Sequence, residues 1–223
     1  LAKMEHAKRL VYLFNRYRKR WNSGGKTRTG KRIFLAKIIQ TKIYTKSGDR
    51  GKTMLLDGNV VDKNDARIEV NGCLDELNTR IGLLRDSDMD PEINLEFIAL
   101  QKAIFEISAT LAVDRSGESA RFDAAQWDIL VEAMENRIDQ WTEVLPPLTH
   151  FIIPGGHPKV GLVHLARTCC RTAERRLVGL DQLAEIPWQT VVFINRLSDY
   201  LFVWTRMVSL REGADETLWI SNP

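Results

Sequence analysis

The sequence is poor in the features that build disulfide frameworks, metal clusters and membrane spans. It holds three cysteines, two of them adjacent at Cys169 and Cys170, a set that makes neither a disulfide framework nor a CxxC zinc pair. It contains no run of about 18 uninterrupted apolar residues, the length that a transmembrane helix needs. None of the four histidines lies in a Glu-x-x-His pair, which argues against a di-iron helical bundle. These scarcities predict a protein of a reducing compartment, outside the membrane.

The remaining composition is that of an ordinary globular protein. Of the 223 residues, 44% are hydrophobic and 27% are charged. With 14 glycines and 7 prolines, the chain belongs to neither the collagen-like nor the low-complexity class. A chain of this length buries roughly 70% of the surface that it would expose when unfolded, which is enough for one sizeable core. We therefore expect one main domain.

Positive charge is concentrated at the N-terminal end. Residues 1–46 contain 14 Lys and Arg and one acidic residue, Glu5, a net charge of +13. The total of +3 leaves the other 177 residues with a net charge of −10. We expect residues 1–40 to be a basic, flexible extension. Two other interpretations stay open at this stage: an organelle-targeting segment, and a tail that binds nucleic acid or a membrane surface.

Beyond Gln40, apolar residues recur at spacings of three and four, the pattern of amphipathic helices. Five helices are predicted, beginning near residues 65, 91, 123, 158 and 187, with prolines at three of these starts. They predict an all-α fold, a five-helix bundle over residues 41–213 followed by a short tail at 214–223. Two long irregular segments, 45–64 and 145–157, separate the helices, and such loops are often functional.

The first irregular segment contains a stretch with the composition of a phosphate-binding loop, Thr45-Lys-Ser-Gly-Asp-Arg-Gly-Lys-Thr53. Its two glycines permit positive φ and close backbone approach, and its three cations supply charge. Asp49 would either orient a cation or hold a metal bound to the phosphates. The stretch is not a Walker loop, because Lys46 stands where that motif needs its first glycine. An exposed polar turn has the same composition, so composition alone leaves both interpretations open.

Two of the predicted helices carry polar side chains that a bundle core does not need. At about 100° per residue, one face of the fourth helix holds Arg167, Arg171, Glu174 and Arg175. A solvated salt-bridge face is the ordinary interpretation of such a stripe. Three guanidinium groups beside one carboxylate would also suit a triphosphate. On the fifth helix, Asn195 and Asp199 are i, i+4 neighbours and could hold one ligand between them.

Taken together, these segments resemble the ATP:cob(I)alamin adenosyltransferases of the PduO type. The resemblance runs from about residue 42 to 213 and rests on five motifs in the family's order. They are Lys42-Ile-Tyr-Thr-Lys-Ser-Gly-Asp-Arg-Gly, Cys73-Leu-Asp-Glu-Leu-Asn, Phe151-Ile-Ile-Pro-Gly-Gly, Arg167-Thr-Cys-Cys-Arg-Thr-Ala-Glu-Arg-Arg and Asn195-Arg-Leu-Ser-Asp-Tyr-Leu-Phe. Thr172 departs from the pattern, since many relatives have a second arginine there, and so does His157 after the Pro-Gly-Gly run. These departures bear on ATP affinity rather than on activity.

The resemblance implies a homotrimer of ferritin-like, up-down five-helix bundles, with each active site between adjacent subunits. The ATP-binding loop would consist of Thr45, Lys46, Gly48, Asp49, Gly51 and Thr53. The triphosphate, its Mg²⁺ and the nucleoside would be held by Arg171, Glu174, Arg175 and Asn195, with Glu174 as the Mg²⁺ contact. Asp75 and Arg167 correspond to the family's intersubunit salt bridge. Asp199 corresponds to a position near the corrin and Phe151 to the aromatic residue under its lower face; with Arg171, they are the candidate catalytic residues.

The reaction that the resemblance implies is transfer of the 5′-deoxyadenosyl group of ATP to the cobalt of cob(I)alamin, giving adenosylcobalamin and triphosphate. Cobalamin and ATP would be substrates, with Mg²⁺ and K⁺ as metal ions and with no nucleic-acid or membrane partner. A flavin- or ferredoxin-type reductase and an adenosylcobalamin-dependent acceptor enzyme are the expected protein partners. We expect a cytoplasmic location, or the mitochondrial matrix if the basic extension is a presequence. The alternative function on the same fold is a non-catalytic carrier or sensor that binds the corrinoid and the nucleotide.

Overall fold

The computed structural model describes Tyr44 and residues 46–87, 90–113 and 124–220. The predicted basic extension lies outside the described residues, as does Thr45. The described part forms five helices and four short strands: β1 (Lys52–Met54), β2 (Val60–Asp62), α1 (Ala66–Asp86), α2 (Pro91–Leu111), α3 (Ala124–Thr142), β3 (Phe151–Ile152), α4 (Pro158–Asp181), α5 (Trp188–Glu212) and β4 (Leu218–Trp219). The predicted five-helix bundle is confirmed. None of these helices has the length and apolar character needed to cross a membrane.

Capping residues set the first turns of α1 and α2. The Asp65 side chain accepts a hydrogen bond of 2.8 Å from the backbone N–H of Arg67. Asp90 likewise accepts one of 2.8 Å from the backbone N–H of Glu92, and Pro91 occupies the first turn, where no donor is needed. The predicted starts of these two helices are confirmed because the sequence supplies the groups that satisfy their free N–H donors.

The core lies between the apolar faces of the helices. α1 packs against α2 and α4, and α5 packs against α4 and α3. The apolar stripes of α4 and α5 are buried through Val163, Ala166, Cys170, Ala173, Leu177, Leu180, Val191, Ile194, Leu201 and Val208. Because α4 and α5 meet through these stripes, their polar residues are left on the outside of the bundle, along the line where the two helices adjoin.

A buried polar cluster connects α2, α3 and α5. Arg137 on α3 forms an ion pair with Glu96 and a second one with Glu92, at 2.8 Å. The Tyr200 hydroxyl donates a hydrogen bond of 2.7 Å to Glu96. Burial and the neighbouring carboxylate raise the pKa of Tyr200 well above its ordinary value. Removing Arg137 or Glu96 would leave a buried charge without its partner, and the Tyr200 hydrogen bond joins α5 to this ion pair.

The structure also contains one antiparallel hairpin and one antiparallel pair of strands that are distant in sequence, and the helical pattern predicts neither. β1 pairs with β2, and β3 pairs with β4 through Phe151 opposite Trp219. Strands of two or three residues are too short to show an alternation of polar and apolar side chains, so periodicity misses them. Through β4, residues 214–220 are held against the 145–157 segment.

Candidate active site

The glycine-containing loop turns tightly before β1. The backbone N–H of Asp49 donates to the Lys46 carbonyl at 3.3 Å, and that of Gly51 donates to the Gly48 carbonyl at 3.2 Å. Gly51 has a φ of 75°, which glycine adopts without strain, and Lys46 has a φ of 60°. The backbone N–H of Lys63 donates to the Gly51 carbonyl at 2.8 Å and closes the loop onto the hairpin. In such a tight, glycine-containing turn, the backbone N–H groups that are not used within the turn can face an anion.

The charged residues of this loop differ in whether they are already paired. Lys46, Asp49 and Arg50 are exposed, whereas Lys52 forms an ion pair of 2.5 Å with Asp62 on the neighbouring strand. Lys46 and Arg50 therefore face solvent, and Lys52 is held along the hairpin. Thr53, the last residue of the loop motif, lies half-buried on β1.

Lys63 is a further cation of this loop, and sequence reasoning missed it. Its Nζ lies 3.1 Å from the point that a Cβ on Gly48 would occupy. The β1–β2 pairing carries the chain back to this place, since Lys63 directly follows β2. The sequence shows only a lysine ten residues beyond the loop motif, and its position next to Gly48 cannot be inferred before the β1–β2 pairing is known. The absence of a side chain at Gly48 makes room for the ammonium group.

The polar residues of α4 lie on the outer face, as the helical spacing predicts. Arg171 and Arg175 are exposed, and Glu174 is half-buried between them. The Arg175 guanidinium donates a hydrogen bond of 3.1 Å to the hydroxyl of Thr172. The position that departs from the family pattern thus contacts one of the two candidate phosphate-binding arginines.

The polar residues of α5 meet this face. The Asn195 side-chain amide donates a hydrogen bond of 2.9 Å to a Glu174 carboxylate oxygen, and so joins α5 to α4 at the surface. Asp199 is also exposed, and its carboxylate lies 3.7 Å from the Arg196 guanidinium, which also pairs with Glu135 on α3. Of the two predicted α5 residues, Asn195 contacts the α4 stripe through Glu174. Asp199 instead contacts Arg196 on its own helix.

Arg167, the first residue of the α4 stripe, has a neutral partner. Its Nε donates a hydrogen bond of 3.3 Å to Nδ1 of His164, one turn earlier. Burial, and then the charge of Arg167, lower the pKa of His164 to about 4, so this imidazole is neutral at neutral pH and accepts the hydrogen bond. Burial, and then the charge of Arg171, lower the pKa of Arg167. Within the described part of the chain, neither Arg167 nor the exposed Asp75 has an ion-pair partner.

Phe151 is 79% exposed at the start of β3. Its ring contacts the Trp219 ring edge-on, with centroids 6.2 Å apart and an interplanar angle of 68°. Other exposed apolar side chains occur on the same two segments, and contiguous exposed apolar patches often mark binding sites. They are Leu148, Ile153, Leu218 and Ile220.

The residues present suit a magnesium ion that arrives with phosphates. Among the described residues, no three His, Cys, Asp or Glu side chains gather into a ready-made metal site. Magnesium bound to a nucleotide needs only one or two protein carboxylates, since phosphate oxygens and water fill the other positions. Glu174, half-buried between two arginines and oriented by Asn195, has the oxygen chemistry for that contact.

Comparisons with a family model and with known proteins point to the same family. The family model for cobalamin adenosyltransferase matches residues 43–208. The chain is 39% identical over 176 residues to the corrinoid adenosyltransferase of Bacillus subtilis, covering 77% of this chain and 89% of that protein. It is 35% identical over 187 residues to the human corrinoid adenosyltransferase MMAB, covering 81% of this chain and 74% of that protein.

Solved structures agree with the sequence comparisons. A variant of the PduO-type ATP:corrinoid adenosyltransferase from Lactobacillus reuteri, complexed with cobalamin and ATP, superposes with a TM-score of 0.75 at 33% identity, covering 81% of this chain and 100% of that chain. A second variant of that protein, complexed with ATP, superposes with a TM-score of 0.73 at 33% identity and covers 80% of this chain. The chain belongs to the cobalamin adenosyltransferase family.

Proposed function

We propose that this protein is an ATP:corrinoid adenosyltransferase, which transfers the 5′-deoxyadenosyl group of ATP to the cobalt of cob(I)alamin. The observation that carries the proposal is the exposed face of α4, where Arg171 and Arg175 flank a carboxylate that Asn195 holds in place. The family match indicates the reaction. The cations and the carboxylate on this face are the groups that binding of a triphosphate and its Mg²⁺ would need.

The reaction forms a cobalt–carbon bond as the C5′–O bond of ATP breaks, and the electron pair leaves with the triphosphate. The reduced corrinoid is a strong nucleophile, so no side chain has to activate it. The protein has to align C5′ with the cobalt and to stabilise the departing anion. Arg171, Arg175 and Lys46 suit the second task because all three are exposed cations on elements that the family uses for ATP.

Magnesium would be held at Glu174 and would supply charge neutralisation of the triphosphate. Asn195 keeps that carboxylate in one orientation through its hydrogen bond of 2.9 Å. Thr45, Gly48, Asp49, Gly51 and Thr53 complete the nucleotide loop in this proposal, and K⁺ is a second candidate ion.

On the corrin side, we assign Phe151 to the lower axial face of the corrin and Asp199 to a position beside the ring. An apolar ring in this position keeps water and the benzimidazole base away from the cobalt. A cob(II)alamin without a lower ligand is easier to reduce. The high exposure of Phe151 within a group of apolar side chains supports this assignment.

We assign the active form to a homotrimer in which the loop of one subunit meets the α4–α5 face of the next. Arg167 and Asp75 support this. They are complementary charges that have no ion-pair partner within the described residues of one chain, and a salt bridge between subunits would satisfy both.

Mixed trimers test the reaction and the shared site together. Lys46→Ala removes a loop cation and Arg171→Ala removes a face cation, and each variant alone should be nearly inactive. When equal amounts are co-assembled, about a quarter of the sites should combine an intact loop with an intact face, so activity should return to that fraction of wild type. No recovery in verified mixed trimers would contradict a site shared between subunits. An inactive wild type would contradict the reaction itself.

The remaining assignments concern the cellular setting. We place the protein in the cytoplasm, with a flavin- or ferredoxin-type reductase as the electron donor. An adenosylcobalamin-dependent enzyme would receive the product.

A further inference from the structure

The C-terminal segment, residues 214–220, crosses the loop that carries Phe151 and makes several kinds of contact with it. β4 pairs with β3, and the backbone N–H of Ile153 donates to the Thr217 carbonyl at 2.8 Å. The carbonyl oxygen of Asp215 lies 3.2 Å from the point that a Cβ on Gly156 would occupy. Trp219 touches the Phe151 ring edge-on. The segment is therefore part of the structure around Phe151.

One buried arginine anchors this arrangement to the helical bundle. Arg206 on α5 is 6% exposed, and it donates to both carboxylate oxygens of Glu216, from Nε at 2.9 Å and from Nη2 at 3.2 Å. The same Nη2 donates to the carbonyl of Pro146 at 2.8 Å. A single guanidinium thus ties the helix, the start of the Phe151 loop and the C-terminal segment together. Paired, planar hydrogen bonds of this type are among the stronger and more directional contacts in proteins.

Arg206 lies on the same side of α5 as the candidate site residues Asn195 and Asp199. Arg206 follows Asn195 by eleven residues, which at about 100° per residue brings it within about 20° of the same line along the helix. Asp199 lies about 40° from that line. The face that carries the proposed nucleotide and corrin contacts therefore also carries the residue that holds the Phe151 loop.

The strand pairing needs such an anchor. β3 and β4 have two residues each, and an isolated pair of strands this short is marginal in water. The Arg206–Glu216 ion pair is different, because breaking it would leave a buried charge without a partner. We propose that the Arg206–Glu216 ion pair is a clasp that fastens residues 214–220 across the loop, and that Glu216 is thereby a positioning residue for Phe151 in the reaction that starts from cob(II)alamin. This inference rests on the proposed function.

The first test measures the clasp without any activity. Glu216→Ala removes the partner at the outer end of the pair and leaves the buried arginine in place, whereas Glu216→Gln keeps one acceptor oxygen. Hydrogen exchange on the full chain should become at least roughly tenfold faster at the amides of residues 151–153 and 217–219 in Glu216→Ala, with a smaller change in Glu216→Gln. Glu185→Ala, an exposed acid between α4 and α5, is the matched control. Wild-type exchange in Glu216→Ala would overturn the clasp.

The second test measures its effect on the reaction. With a strong reductant and cob(II)alamin, Glu216→Ala should lower kcat several-fold and reduce the absorption of four-coordinate cob(II)alamin seen with ATP. With cob(I)alamin prepared beforehand, its kcat should stay close to wild type, and Glu216→Gln should recover part of the loss. Faster exchange with both rates unchanged would overturn the positioning role. A wild-type protein that forms no adenosylcobalamin would overturn that role and the proposed function, while the exchange result would still decide whether the clasp exists.

Discussion

The side-chain amide of Asn195 on α5 donates a hydrogen bond of 2.9 Å to the carboxylate of Glu174 on α4. Asn195 is exposed and Glu174 is half-buried, so this contact contributes little to the free energy of unfolding. Its value is positional, because it fixes a carboxylate between Arg171 and Arg175. The packing of α4 on α5 through their apolar stripes brings the two residues together.

Arg171→Ala should lower kcat roughly a hundredfold or more, because an exposed guanidinium that stabilises the leaving triphosphate acts mainly in the transition state. The free energy of unfolding should change by less than about 1 kcal/mol, as expected for a solvated charge on a helix. Steady-state kinetics and urea unfolding measure the two effects. Arg176→Ala, which removes an exposed arginine of the same helix paired with Glu69, is the control and should keep its activity. A fully active Arg171→Ala would contradict the triphosphate assignment.

Asn195→Ala should raise the KM for ATP roughly tenfold, since Glu174 would lose the hydrogen bond that orients it. The KM for cobalamin should change little, because the contact lies on the nucleotide side of the proposed site. Asn136→Ala, on an exposed position of α3, is the control. Equal effects on both KM values would argue against a nucleotide-specific role.

Phe151→Ala should slow the reaction from cob(II)alamin far more than the reaction from cob(I)alamin, because the ring is needed to keep a lower ligand off the cobalt before reduction. Parallel anaerobic assays with the two oxidation states measure the difference. Leu183→Ala, an exposed apolar residue between α4 and α5, should affect neither rate strongly. Equal slowing of both reactions by Phe151→Ala would contradict the lower-face assignment.

His164 should give the protein a pH-dependent stability. Its pKa is lowered in the fold from 6.5 to about 4, so the folded state binds the proton less readily than the unfolded state. Stability from this residue is complete above the unfolded pKa and is lost as the pH falls toward the folded one, by roughly 3 kcal/mol in total. Urea unfolding at several pH values should show a smaller loss in His164→Gln, whereas exposed His150→Gln should keep the wild-type slope. An unchanged slope in His164→Gln would contradict the assignment.

Much of the fold follows from local patterns. The capping residues Asp65 and Asp90 and the apolar spacing predict the helices, because the buried face of a helix repeats every three to four residues. The same reasoning misses the four short strands, since two or three residues cannot reveal a period. The 214–220 segment, predicted as a tail, contacts the Phe151 loop through residues that are far apart in the sequence.

Some residues of the candidate site could also be predicted from local spacing, whereas others depend on how distant parts of the chain pack. The shared face of Arg171, Glu174 and Arg175 follows from helical geometry, and the contact with Asn195 becomes visible once α4 and α5 are packed. Lys63 stayed hidden, because its place beside Gly48 depends on the hairpin. Composition could not assign a role to the 45–53 loop, because a polar turn and a phosphate-binding loop contain the same residue types. The resemblance to a known family gave the predicted roles.

An anaerobic assay of the purified protein with ATP, Mg²⁺, cob(II)alamin and a strong reductant is the decisive test of the reaction. It follows adenosylcobalamin by absorbance and triphosphate by chromatography. We expect both products in equal amounts, and we expect Arg171→Ala to abolish most of the turnover. Binding of ATP and corrinoid with neither product formed would contradict the proposed reaction and would favour a carrier or sensor on the same fold.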